Sequence, residues 1–186
     1  MLSQQLLDWV KADIRRHCRQ SKGYEESGWV NPLEPHDCVS AFAMAGFLTK
    51  RCALDHCIAI APEGHVYLYF FKKLGVPVLS VYVDYPPRQC QSLDDLSVIR
   101  DRRVLLLEDD VISGVTLRLV VDAVLAASPR SLALYLGRAK EDQILENVPP
   151  EVTAVYLAED CLDLAKRAEY EAGFADAFGC GPCYEE

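Results

Sequence analysis

Four consecutive apolar residues, Val104, Leu105, Leu106 and Leu107, run directly into Glu108, Asp109 and Asp110. A run without polar interruption cannot turn one face to water, so it predicts a short strand covered on both sides. Near-continuous apolar stretches recur at 57–61, 76–83, 132–136 and 152–157. Between them the period changes to that of a helix. Residues 66–74 form one such segment, closed by Gly75 at the C-cap position. Residues 117–127 form another, with Leu117, Val120, Val121, Val124 and Leu125 on one side. Two helices precede the first strand: 2–19, with Leu6, Leu7, Val10 and Ile14 at helical spacing, and a second capped by Asp37 and running to about residue 50. Residues 21–35 read as a loop, residues 84–102 as a long polar connection, and the chain after 157 as a short polar helix and a tail. Strands joined by helices predict an α/β fold, a mostly parallel doubly wound sheet with helices on both faces. Right-handed crossovers gather the strand-to-helix turns at the carboxyl edge, where function is to be sought.

A chain of 186 residues suits a single domain. Its net charge of -9 repels polyanions, which excludes a general nucleic-acid binder. No stretch approaches the roughly 18 apolar residues of a membrane span. The first apolar segment carries Asp8 and no basic flank, which speaks against a secretory signal. The eight Cys are too sparse for a disulfide scaffold. Cys38, Cys52 and Cys57 lie in or beside apolar segments, as reduced thiols do. A cytoplasmic protein is expected.

The segment after the 104–107 strand carries the chemistry. Three acids stand at the strand's end, and Ser113, Gly114 and Thr116 open the next helix. Carboxylates held there accept hydrogen bonds from vicinal hydroxyls. A helix N-terminus with free amides, a glycine and hydroxyls binds phosphate. Together they describe a ribose 5-phosphate site.

The stretch 105–116, LLLEDDVISGVT, resembles the PRPP-binding signature of the type I phosphoribosyltransferases. The resemblance implies a core over about 37–157, with a small variable hood from about 1–36 and 158–186. It implies that Glu108 and Asp109 hold the ribose hydroxyls and carry catalysis. Asp110, Val111, Ile112, Ser113, Gly114, Val115 and Thr116 then form the phosphate loop. The family's pyrophosphate loop falls on Pro62, Glu63, Gly64 and His65, and its flexible lid on the 84–102 connection, with Arg88 as the anion contact. The implied cofactor is Mg2+, held through PRPP or by Glu63 or Asp109. The implied reaction moves the phosphoribosyl group from PRPP to a nitrogenous base and releases pyrophosphate. The implied partners are PRPP or ribose 5-phosphate with a small base or nucleotide, and a second copy in a homodimer.

The sequence departs from the family's pattern at several positions, and Pro62, Glu63 and Asp84 keep a second reading open, a non-catalytic or regulatory binder of PRPP or a nucleotide. Pro62 lacks an amide donor. Glu63 sets a negative charge where pyrophosphate would lie; at ~5 Å and an effective dielectric near 20, one like-charge pair costs about 3 kcal/mol. Asp84 stands where many family members carry Lys or Arg, and Ile112 cannot act as a base toward a 6-oxopurine. His65 reads either as a phosphate donor or as a water-exposed residue at a helix start. Cys180 and Cys183 have the spacing of half a zinc site or a redox pair, or form a reduced thiol pair in the tail. Trp9, Trp29 and Tyr24 are candidates to stack on a base, with core packing as the alternative and the favoured one for Trp9.

Overall fold

The computed structural model describes residues 2–22, 38–137 and 145–179. In chain order it contains α1 (Gln4–Cys18), α2 (Cys38–Cys52), β1 (His56–Ile60), α3 (His65–Lys73), β2 (Val78–Asp84), β3 (Gln89–Ser92), β4 (Arg103–Glu108), α4 (Val115–Ala126), β5 (Ser131–Leu136), β6 (Ala154–Leu157) and α5 (Arg167–Phe178). Short 3-10 turns lie at Leu96–Ile99, Ala158–Cys161 and Leu164–Lys166. The strands form one sheet in the order β3-β2-β1-β4-β5-β6. Every pairing is parallel except β2 with β3. This is the mostly parallel, doubly wound α/β sheet that the apolar runs predict.

The unbroken apolar strands follow from burial on two faces. Cys57, Ala59, Leu105 and Leu107 point to one side, against α1, α2, α3 and α5. Ile58, Ile60, Val104 and Leu106 point to the other, against α4 and the 96–99 turn. Leu105, Leu106 and Leu107 are each fully buried, and such burial contributes about 1.5–3 kcal/mol per side chain. A polar residue at any of these positions would lose that contribution and bury an unmatched group. At the opposite edge from the site, Arg103 opens β4 as a partly exposed charge that is paired. Its guanidinium donates to both carboxylate oxygens of Asp55 at 3.0 and 3.1 Å, and its backbone N–H donates to the same group at 2.9 Å.

Two stretches differ from expectation. The polar connection 84–102 is not one long lid, because β2 and β3 pair antiparallel with Val81 opposite Ser92 and Asp84 opposite Gln89. An edge strand of sequence Gln-Cys-Gln-Ser buries too little to leave an apolar period. Arg88 is an exposed residue in the turn of this hairpin. The polar helix expected after residue 157 is a 12-residue α5 that buries Phe174 and Phe178. Both rings meet Phe42 of α2 edge-on, at 5.9 and 5.4 Å. Two aromatic residues four apart were too small a stripe to mark α5 as a core helix.

Among the described residues no helix is long and apolar enough to cross a membrane. The described cysteines carry no disulfide. Cys180, Cys183, Tyr24, Trp29 and the Asp37 cap lie outside the described residues.

Candidate functional site

From β1 the sheet continues to one side through β2, and from β4 to the other through β5. Ligands of open α/β sheets bind at such a switch point, beyond the carboxyl ends of the strands. A cavity of about 630 Å³ opens there. Residues 108–114, Thr116 and Glu63 line it, together with Ile60, Ala61 and Leu117. Pro62, Gly64, His65, Val115 and Arg88 are not among its lining residues.

The loop at residues 110–114 delivers the chain from β4 to α4. Gly114 sits in the left-handed region at φ 71, and a Cβ there would lie 2.6 Å from the Asn147 carbonyl oxygen. Asn147 buttresses the loop and donates from its side-chain amide to the Ile112 carbonyl at 3.2 Å. Its segment is pinned to α4 by Arg118, which donates to Glu151 at 2.8 Å. The N-cap of α4 is Gly114, which has no side chain to offer its first-turn amides, and this helix start lies at the cavity. The hydroxyls of Tyr85 and Thr116 share a hydrogen bond of 2.7 Å, which brings the β2–β3 turn onto this loop. Neither Tyr85 nor Asn147 was chosen from sequence. Only the Pro86-Pro87 turn signal beside Tyr85 could have drawn attention to it.

The carboxyl groups are crowded. Glu108 is 9% exposed and Asp109 8%. Burial holds the Glu108 carboxyl well above the usual carboxylate range. The Asp109 backbone N–H donates to its Oε1 at 2.8 Å and opposes the rise, while Glu63, Asp109 and Asp110 add to it. Burial likewise raises Glu63, with Asp109 and Asp110 contributing. Among the described residues, four carboxyl groups thus surround a cavity whose lining includes no Lys or Arg. Asp84 lies apart from it, 3.6 Å from Lys22. Glu108→Gln therefore has a definite expected effect on the fold. A carboxyl whose folded pKa is raised loses stability as pH rises through that value, and an amide does not. The variant is expected to gain about 1 kcal/mol at pH 8, seen as a melting temperature some 2–4 °C higher, and to lose this advantage below pH 4.5.

His65 is turned the other way. It is 9% exposed, and its ring stacks on His17 of α1 with centroids 5.7 Å apart. The reading as a phosphate donor or a water-exposed residue is corrected accordingly. The cause is Gly64, which packs on the backbone of Ile60 and the Leu107 carbonyl and starts α3 with His65 facing α1. The close approach made by Gly64 is thus to the sheet. Trp9 lines a different cavity, on the α1–α3 side.

No protein-family model matches the chain, and no curated protein matches it. Solved structures do match. The chain is similar to the hypoxanthine-guanine phosphoribosyltransferase of L. donovani, at 20% identity over 63% of this chain and 80% of that one, with a TM-score of 0.47. It is similar to the hypoxanthine phosphoribosyltransferase of Trypanosoma cruzi complexed with IMP, at 17% identity over 65% and 72%, TM-score 0.48. It is also similar to a hypothetical protein of Neisseria gonorrhoeae with bound ppGpp, at 16% identity over 72% and 90%, TM-score 0.44.

Proposed function

We propose that the chain is a type I phosphoribosyltransferase-like protein of the cytoplasm that binds PRPP or ribose 5-phosphate between β1 and β4. It transfers the phosphoribosyl group to a nitrogenous base and releases pyrophosphate. The observation that carries this reading is that the N-terminus of α4, which starts at Gly114, opens on the same cavity as Glu108 and Asp109. Phosphate takes the loop amides and the hydroxyls of Ser113 and Thr116, with Tyr85 beside Thr116. The ribose hydroxyls take the carboxyl pair. Burial raises the Glu108 pKa and so biases its carboxyl toward the protonated, donating form, and Asp109 lies beside it in the same cavity to accept. That pair fixes the sugar as positive charge develops at its anomeric carbon, and nearby carboxylates favour that charge. Ile112 is 74% exposed at the cavity and offers no base, which argues against a 6-oxopurine acceptor.

Mg2+ suits this oxygen-rich lining. Among the described residues no group of three or more His, Cys, Asp or Glu is arranged to hold a metal ion. Mg2+ would therefore come with the phosphates of PRPP and take Glu63 or Asp109 as its protein ligand, neutralising pyrophosphate charge. Glu63 also supports a second reading, a binder of a ribose monophosphate or nucleotide that does not turn PRPP over, since the acid stays in the cavity near Asp109 and Asp110.

Calorimetric titration with PRPP and with ribose 5-phosphate, with and without Mg2+, tests both, followed by pyrophosphate release against a panel of bases. Transfer predicts Mg2+-dependent PRPP binding and turnover with at least one base. Tight binding without turnover on any base selects the binder. Asp109→Asn is expected to weaken ribose 5-phosphate about tenfold or more, the worth of a charged hydrogen bond. An unchanged affinity would sink the site assignment.

A further inference from the structure

A second cavity, of about 410 Å³, lies along the groove where α1 runs antiparallel to α3 and is closed by the end of α5. It shares no residue with the carboxylate cavity. Its volume falls in the range of small-molecule pockets, roughly 300–1,000 Å³. Its chemistry is the reverse of the first. Among the described residues, Arg16, Lys72 and Lys73 line it against one acid, Asp13. That acid is already engaged: the Tyr69 hydroxyl donates to it at 2.8 Å and Arg16 lies 3.4 Å away. His17 also lines the cavity, and burial and Lys72 lower its pKa, so it is neutral at pH 7. The cavity therefore carries an excess of positive charge in a chain of net charge -9.

The remaining wall is aromatic. Trp9, Tyr69 and Phe178 contribute their rings. Tyr69 and Phe178 lie nearly parallel, 9° apart, and Lys73 sits 5.0 Å over the Phe178 centroid. Flat rings beside cations recognise a ligand that is both planar and anionic. A base stacks on the half-buried Trp9 and Tyr69, while Phe178, 3% exposed, holds Lys73 over its ring, and a phosphate takes the ammonium and guanidinium groups. Such side chains could instead have been spread over a solvated surface, where each pairs with acids. Here they converge on one concave site.

We propose that the α1–α3 cavity is a binding site for a nucleoside phosphate, separate from the cavity between β1 and β4. The inference stands on this cavity alone and does not depend on the transfer reaction.

The test is calorimetric titration of the full chain with AMP, GMP, ATP and GTP, with adenosine, guanosine and inorganic phosphate as part-ligands. At least one nucleotide is expected to bind at least tenfold more tightly than its nucleoside or phosphate. Lys72→Glu and Arg16→Glu should each weaken it at least tenfold, and Asp109→Asn should leave it within twofold. Both cations are exposed, so these variants keep the fold. Three results would overturn the proposal. One is no nucleotide binding at millimolar concentration. Another is binding lost in Asp109→Asn but kept in Lys72→Glu, which places the ligand in the carboxylate cavity. The third is a dimer in sedimentation that Lys72→Glu dissociates, which assigns the groove to a second copy of the chain.

Discussion

Gly64→Ala is expected to destabilise the protein by at least about 3 kcal/mol, from the addition of one methyl group. A Cβ at Gly64 would lie 2.8 Å from both the nitrogen and the oxygen of Ile60, and closer still to the Leu107 carbonyl. These are backbone atoms of β1 and β4, strands paired on both sides within the sheet, so neither can yield without breaking register. The glycine itself is in ordinary helical geometry, at φ -62, so the effect is steric and not conformational. Overpacking into side chains costs about 1–3 kcal/mol, and into fixed backbone more. Gly46 of α2 is the control. A Cβ there meets nothing within 4 Å. Gly46→Ala should stabilise by about 1 kcal/mol, the helix preference of alanine over glycine. Urea unfolding of the two variants reads both numbers, and equal effects at the two positions would refute the packing argument. Gly64 also sets the direction of Glu63 and the start of α3. Whatever Gly64→Ala protein still folds should therefore bind ribose 5-phosphate more weakly.

The sheet was readable because burial on two faces writes itself into every residue of a strand. Val104–Leu107 needed no partner to be recognised. The turn into α4 was readable for a similar reason, since a glycine between hydroxyl-bearing residues at a helix start is a local device. What escaped was whatever depends on residues distant in sequence. Tyr85 reaches Thr116 across 31 positions, and Asn147 reaches Ile112 across 35. Neither residue is unusual where it stands, and only the hairpin and the strand order bring them to the loop. β3 escaped because an exposed edge strand has no apolar face to show. What Gly64 does escaped as well, since the backbone it approaches belongs to β1 and β4 of the sheet. His65 was misread from the same cause. Its position at a helix start is visible in the sequence, while α1 lying over it is not.

That burial makes His65 the source of a pH effect of about 3 kcal/mol. Burial, and then His17, push its pKa down to about 4 from the ordinary 6.5. Neither ring nitrogen has a hydrogen-bond partner among the described residues to hold a proton in place. Above pH 6.5 the imidazole is neutral in both folded and unfolded chains, and its contribution to stability is full. Between 6.5 and about 4 the unfolded chain binds the proton and the folded chain does not, so stability falls as pH falls. A difference of two to three pKa units corresponds to about 3 kcal/mol. Glu63 and Glu108 act in the opposite sense, because raised carboxyl pKa values add stability as pH falls. The wild-type profile alone is therefore shallower than His65 would make it. The quantity to measure is the difference in unfolding free energy between wild type and His65→Phe, from pH 7.5 down to 4. Wild type should lose about 3 kcal/mol relative to the variant over that interval, most of it below pH 6. The imidazole proton resonances of His65 supply a check that needs no variant. They should hold still down to about pH 5, while an exposed histidine would titrate near 6.5. A titration of His65 near 6.5 would mean that its ring meets water, and the packing of α1 over α3 would have to be redrawn.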